Sequence, residues 1–396
     1  MNTLWMIPVI LMTASPIHFQ RHQIDAFPAG YQVAVADVNG DGRPDVVALS
    51  TEANRVDWYE NPTWKRRPIA RAERPIDLAI HDLDGDGRPE IALACGFYFA
   101  DAGRGGEILW LKARASLDEP WETHPIATDP VVHRLRWADL DGDGRSELVH
   151  APIFGPGSKT NVAPKPSHLW AWRPPKDPRS GTWEVWKIDE SLTVLHGLWA
   201  GRLAAGDPRD TLLTASYEGI FRFAWEGTGT GARWRRVHVA AGAKPVDANP
   251  GAARGTSEVA PGRLGPGRPF LAAIEPWHGH QVVVYTPEGP SGPWRRRVLD
   301  QALAEGHALV VADFDGDGQD EIVAGWRAGG GGLTLYDPAD ADGRSFRTEP
   351  LDRGIAVEGL VAADLNRDGR LDLVAIAGRT NQLVWYENRP PAAKSR

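Results

Sequence analysis

A nine-residue pattern of carboxylates and glycines returns five times along the chain, and its spacing limits the possible folds more than any other feature. Its first, third, fifth and ninth positions are Asp37, Asn39, Asp41 and Asp45 in the first copy, and Asp82, Asp84, Asp86 and Glu90 in the second. They are Asp139, Asp141, Asp143 and Glu147 in the third, Asp313, Asp315, Asp317 and Glu321 in the fourth, and Asp364, Asn366, Asp368 and Asp372 in the fifth. The gap between the third and fourth copies is about three ordinary periods. Two degenerate copies fill it, Leu198 to Asp210 and Glu258 to Pro269, which keep turn glycines and prolines but lack the acidic pattern. Self-similarity at such a period marks a repeat architecture.

A second motif keeps step with the first: an aromatic residue followed five positions later by an aliphatic one. It is met as Trp64 with Ile69, Trp121 with Ile126, Trp183 with Ile188, Trp234 with Val239, Trp294 with Leu299 and Phe346 with Leu351. A seventh copy, Phe19 with Ile24, stands before the first acidic loop, while the last unit ends at Trp385 to Asn388 with no such strand behind it. Within one unit the alternating and continuous apolar runs predict four strands, Gln32 to Ala36, Asp45 to Leu49, Val56 to Tyr59 and Trp64 to Ile69. A chain that opens with the fourth strand of a unit and closes without one completes its last sheet only by joining its two ends, which removes open edges. The expected fold class is therefore all-β: a seven-bladed β-propeller with four-stranded antiparallel blades, the N-terminal strand closing the last blade, over residues 17–389.

The composition agrees, with 43 Gly, 32 Pro and 17 Trp in 396 residues and little sustained helical periodicity. Eighteen of the 52 acids stand at ligand positions of the five loops, leaving 34 against 44 Lys and Arg elsewhere. Five divalent ions would turn the formal charge of −8 to about +2, so a strongly basic nucleic-acid surface is not indicated. Cys95 is the single cysteine, which leaves packing and metal to hold the fold. Leu4 to Ala14 is an apolar run too short to span a bilayer and similar to a secretory leader, although no Lys or Arg precedes Arg21. The expectation is a signal peptide at 1–16, a secreted or periplasmic monomer without a membrane span, and a disordered tail at 390–396.

Carboxylates or amides at positions one, three, five and nine set several hard oxygens around one point, and the residue at seven can add its carbonyl. Calcium accepts six to eight oxygens in tolerant geometry, whereas magnesium prefers to keep its waters. Asp-Gly runs by themselves make hairpin turns, yet turns do not require three or four carboxylates crowded against their mutual repulsion. No helix flanks the loops and the acid lies at nine rather than twelve, so they are not EF-hands. About five structural calcium ions are expected. The pattern resembles the FG-GAP, or VCBS, repeat family, which implies a propeller with calcium on the outer loops of one face and says little of activity.

Counting back five or six residues from each acidic loop or its degenerate copy gives Tyr31, Asp77, His133, His196, Thr256, His307 and Glu358. In a ring of blades these positions converge on one axial mouth, opposite the acidic loops. His278 and His280 in the loop Glu275 to His280 fall on the same face, as does the insertion Gly155 to Asn161. Three histidines at equivalent positions suit a zinc or other divalent ion, or acid–base work near neutrality; histidines that only cap backbone groups remain the alternative. Arg134 and Arg136 alternate with Leu135 and Trp137, so one or both can line the channel or pair with acids between blades. His150, His124 and His238 read as packing or surface residues.

Seven calcium-braced blades with axial histidines are similar to the propeller of the aldos-2-ulose dehydratase family, which removes water from a keto-sugar. That resemblance implies His133, His196, His307 and Glu358 at the reacting centre, with His278 or His280 as acid–base group. The cupin domains that accompany the fungal propeller have no counterpart in this sequence. Rhamnogalacturonan lyases use eight blades where seven are counted here. Two functions stay open at this stage: an exported carbohydrate-active lyase or dehydratase acting on an oxidised or keto sugar, and a non-catalytic propeller binding a carbohydrate or protein ligand through the same face.

Overall fold

The computed structural model describes residues 17–159, 162–227, 231–289 and 292–390. The expected leader 1–16, the tail beyond Pro390, and Thr160 and Asn161 of the insertion lie outside the described residues. Seven four-stranded antiparallel sheets form one ring. Six are built from consecutive strands, and the seventh takes the order Phe19–Asp25, Gln382–Asn388, Asp372–Ala377, Gly359–Ala363. Phe19 stands opposite Asn388 and His22 opposite Trp385, so the chain ends meet as the repeat arithmetic requires. No helix among the described residues is long and apolar enough to cross a membrane.

Each strand's composition follows from its place in a blade. The second strands, such as Asp45–Ser50 and Glu147–Pro152, are buried throughout because neighbouring blades cover both faces, and they are correspondingly continuous runs of Val, Leu, Ile and Ala. The outermost strands, such as Lys65–Arg71, have one free edge and read as polar and exposed. The first blade's fourth strand starts at Lys65, because Trp64 holds the turn before it at φ +54°. The core lies between blades. At the closure, Val46, Ala48 and Tyr59 of the first blade pack on Val374, Ile376 and Leu383 of the last. At about 25 cal/mol per Å² of apolar surface, this burial is the main force closing the ring.

The acidic loops join first to second strands on one face, as expected. Their position-six glycines take φ between +82° and +86°, a region closed to most side chains. Arg367 takes φ +63° where the other loops have glycine, a local strain the fifth loop carries alone.

Candidate active site at the propeller axis

Each acidic loop folds on its own carboxylates. The position-one Asp accepts backbone N–H groups from the turn, as Asp37 Oδ1 does from Gly40 and Asp41 at 2.8 and 3.1 Å. The position-nine acid accepts the N–H of the second residue, at 2.8 Å from Leu83 to Glu90 and from Phe314 to Glu321. Ligand atoms of Asp82, Asp84 and Asp86, of Asp139, Asp141 and Asp143, and of Asp313, Asp315 and Glu321 gather within 4.8 Å of one another. The first and fifth loops differ. Asp45 and Asp372 each place both oxygens on backbone N–H groups, those of Val38 and Asn61 and those of Leu365 and Asn388. The Asn39 and Asn366 amides donate toward Asp41 and Asp368 at 3.3 Å.

The third and fourth loops each bury a position-nine carboxylate oxygen without a hydrogen-bond partner, Glu147 Oε1 and Glu321 Oε1, and Glu147 has Arg173 beside it at 3.5 Å. Glu321 is 1% exposed and its Oε1 has no hydrogen-bond partner. Burial, joined by repulsion from Asp315, pushes its carboxyl up to about 9. A buried unpaired carboxylate is costly, and a cation among Asp313, Asp315 and Glu321 would relieve it.

On the opposite face the first strands converge. The Tyr31 hydroxyl lies 3.0 Å from His133 Nε2 and 3.2 Å from His307 Nε2. His196 Nε2 and His278 Nε2 are 3.0 Å apart. Ligand nitrogens of His196, His278 and His307 lie within 4.8 Å of one another. His133, His196 and His307 are at most 2% exposed. Burial holds all four imidazoles below their ordinary range, so they are neutral at pH 7, and neighbouring guanidinium groups lower them further.

The hydrogen bonds assign the tautomers. His196 Nδ1 faces the Ser257 carbonyl and Glu258 Oε1, each at 3.0 Å, and His307 Nδ1 faces the Glu358 carbonyl at 2.7 Å. Both rings therefore keep the proton on Nδ1 and turn an Nε2 lone pair inward, the arrangement a metal ligand needs. His278 is set the other way: Arg327 Nη2 stands 3.2 Å from its Nδ1, which leaves the proton on Nε2 pointing at His196. Three imidazoles thus fit a divalent ion once Arg327 releases His278 and its proton moves to Nδ1. Arg327 already has Glu358 at 2.8 Å and Glu305 at 3.1 Å to hold it.

The ring of positions counted from the sequence separates in space. Tyr31, His133, His196, His307 and Glu358 meet at the axis. Asp77 turns into the interface between blades, accepting from Leu135 N–H at 2.8 Å and Arg136 at 3.1 Å. Thr256 faces Glu275 within its own blade. His280 is exposed, outside the cluster that His278 joins. Of the two arginines, Arg134 lines the axis. His150 is buried between Asp129 and Trp172, in keeping with a packing role.

Three charged residues of the site were not picked out from the sequence as axial. Glu258 opens its strand two residues past Thr256, and the two-residue alternation of a strand could have found it. It binds Arg134 at 3.0 Å as well as His196. Burial raises its carboxyl, but Arg134 and His196 outweigh this and hold it below the usual range. Glu358 goes the other way, pushed up by burial that Arg327 only partly offsets. Arg327 and Glu305 sit outside the counted positions and had no such signal. An aromatic cluster packs beside the histidines: Phe99 stacks on Trp277 at 6.4 Å, and Phe154 meets both. Trp277 in turn stacks on His278 at 4.6 Å.

Comparison with known proteins matches the FG-GAP-like repeat family over residues 37–93 and 313–375, which hold four of the five acidic loops. The chain is a seven-bladed propeller with FG-GAP-like repeats over residues 37–93 and 313–375. Residues 105–288 of this propeller match the family described as aldos-2-ulose dehydratase, beta-propeller domain, a stretch that includes His133, His196, Glu258 and His278. An aldos-2-ulose dehydratase of Phanerodontia chrysosporium is 27% identical over 316 residues. That match covers 74% of this chain and 33% of the relative, so the chain spans about a third of the fungal protein's length. Two crystal structures of BBS1N in complex with ARL6DN, soaked with mercury and with lead, are 13% identical with TM-scores of 0.58 and 0.54. They cover 96% and 97% of this chain and 99% and 100% of theirs, and share the fold. An exotype rhamnogalacturonan lyase, YesX, is 15% identical with a TM-score of 0.44 over 94% of this chain and 74% of its own.

Proposed function

We propose that the chain is an exported, calcium-braced, carbohydrate-active lyase of the dehydratase type, taking an oxidised or keto sugar at the axial mouth beside a divalent ion held by His196, His278 and His307. One observation carries this: the ligand nitrogens of those three histidines, from three blades, lie within 4.8 Å of one another. The match of residues 105–288 to a dehydratase propeller supports it, as does Trp277, an aromatic ring stacked on His278 at 4.6 Å. The apolar Leu4 to Ala14 run supports export.

A zinc-like ion bound there would act as a Lewis acid on a substrate carbonyl. The chain's own residues divide the remaining work. Glu258 stays ionised and fixes the His196 ring through Nδ1. Glu358, pushed up, is the carboxyl suited to hold a proton at Oε2. Tyr31 Oη carries one proton, and with the His307 Nε2 lone pair given to the ion that proton faces His133 Nε2. Burial raises its hydroxyl to about 12, so that proton is retained at neutral pH. Elimination next to a ketone needs a base for the carbon-bound proton and an acid for the departing hydroxyl. His133 Nε2 and Tyr31 Oη supply that pair.

The near-complete burial of His133, His196 and His307 favours a second reading, a non-catalytic glycan- or protein-binding propeller whose axial polar cluster ties the first strands together. Elemental analysis with an ultraviolet assay for unsaturated ketone on keto-sugars separates the two. The lyase reading expects about one transition-metal ion per chain, product formation, and loss of both in His196→Ala and His307→Ala. Calcium alone, with ligand binding unchanged in those variants, would end it.

A further inference from the structure

The five acidic loops are not equivalent, and a residue outside the nine-residue pattern divides them. Strand register aligns the ends of the third strands: Val46 faces Tyr59, Ile91 faces Leu111, Leu148 faces Trp172, Ile322 faces Tyr336 and Leu373 faces Tyr386. The next residue in each blade stands beside the acidic loop, and four of the five contact it. It is Glu60, Asp337 and Glu387 beside the first, fourth and fifth loops, but Lys112 and Arg173 beside the second and third.

Lys112 Nζ lies 2.6 Å from Asp84, 2.9 Å from Asp86 and 2.6 Å from Glu90. These are the carboxylates at positions three, five and nine, and the ammonium sits at the point they share. Lys112 is 13% exposed in its side chain and Glu90 1%, while Asp84 and Asp86, at 38% and 44%, form the solvent-facing rim of the cluster. Arg173 does this less completely in the third loop: it lies 2.7 Å from Asp141 and contacts Asp143, but stands 3.5 Å from Glu147, whose buried Oε1 has no hydrogen-bond partner. Calcium would need the same oxygens at about 2.3–2.6 Å. A cation already among them both repels a second one and occupies its coordination space. In the fourth loop the equivalent Asp337 is paired outward with Arg347 at 2.7 Å, and Glu321 Oε1 stays buried without a partner.

We propose that Lys112 and Arg173 are built-in replacements for calcium in the 82–90 and 139–147 loops, confining the divalent ion to loops whose blade ends in an acid, the 313–321 loop first. This rests on the loops binding calcium as proposed above, and corrects the expectation of about five ions to at most three. A tethered cation has no dissociation to solvent, so the third blade, which carries His133, and the second beside it keep their brace at any calcium concentration. The two chemistries divide the ring into a calcium-independent arc and a calcium-dependent one.

The test is calcium stoichiometry on the full chain by equilibrium dialysis with elemental analysis. Wild type is expected to bind at most three ions, and Lys112→Glu and Arg173→Glu each one more. Should either glutamate variant fold only with calcium present, Lys112→Gln gives the same answer: its melting temperature becomes more calcium-dependent than wild type's. Anomalous scattering from wild-type crystals soaked in calcium should mark the 313–321 loop and leave 82–90 and 139–147 blank. Five bound ions, or an ion in the 82–90 loop with Lys112 swung out, would overturn this proposal alone. No bound calcium at all would overturn it together with the calcium reading of the loops.

Discussion

The Tyr59 hydroxyl donates to Asp25 Oδ2 at 2.6 Å, fastening the third strand of the first blade to the outer strand with which the described chain opens. The same latch recurs at two other blade junctions, from Tyr336 to Asp300 at 2.7 Å and from Tyr386 to Asp352 at 2.6 Å. In each case a buried tyrosine reaches the aspartate near the end of the preceding blade's outermost strand. Hydrogen bonds to a charged group are worth about 1.5–3 kcal/mol. Tyr386→Phe should therefore destabilise the protein by about 2 kcal/mol in urea unfolding, with an unchanged m-value; a loss within error of zero would remove the latch.

Closure of the ring should be visible in a truncation. Without residues 1–25, the strand Gln382–Asn388 loses its partner and presents an open edge. The expected result is a lower melting temperature and concentration-dependent association by size-exclusion chromatography. A monomer with the parent's melting point would contradict the closure.

Calcium removal should lower stability by mass action, since a ligand bound only by the folded chain adds about 2.7 kcal/mol at a hundredfold excess over its Kd. Melting with and without chelator measures this. Glu321→Gln should shrink the difference more than Glu90→Gln, because Lys112 already neutralises the 82–90 loop.

Asp57 gives a pH dependence with a definite sign. Burial raises its carboxyl despite Arg55 at 3.3 Å. A folded-state value above the unfolded one means that stability is full below the ordinary aspartate range, about 4, and falls as pH rises through the folded value. Asp57→Asn removes that loss. Its melting temperature should exceed the parent's by more at pH 7 than at pH 4, and an equal gain at both would exclude Asp57 as the cause.

Cys95 should report global unfolding. It is 1% exposed, and burial with Glu107 beside it pushes the thiol up to about 12. The thiolate is the reactive form, so a thiol reagent at pH 8 should label nothing in the native protein and one equivalent in denaturant. Fast labelling of folded protein would mean that the second blade opens locally.

The blades, their count and their closure were legible because each is signalled locally: a β run and an aromatic–aliphatic pair in every unit, with an acidic loop in five of the seven and its degenerate copy in the other two. The axial histidines were legible for a derived reason. Equivalent positions in a ring meet, so counting back from the loops found His133, His196 and His307. His278 and His280 could not be separated that way. His278 takes φ +47°, and Gly279 packs so close on Glu275 that a Cβ would lie 2.2 Å from its carbonyl carbon. That turn sends one ring to the axis and leaves the other exposed.

What the sequence determined alone is the repeat, because a nine-residue loop and a four-stranded unit are specified by residues near one another in the chain. What the tertiary structure decided is which charges meet. Glu258 joins Arg134 across 124 residues, Arg327 turns His278 across 49, and Lys112 enters a loop 22 to 28 residues earlier than itself. Coulomb and hydrogen-bond energies depend on distance in space and on burial, and neither is a property of the order of residues along the chain.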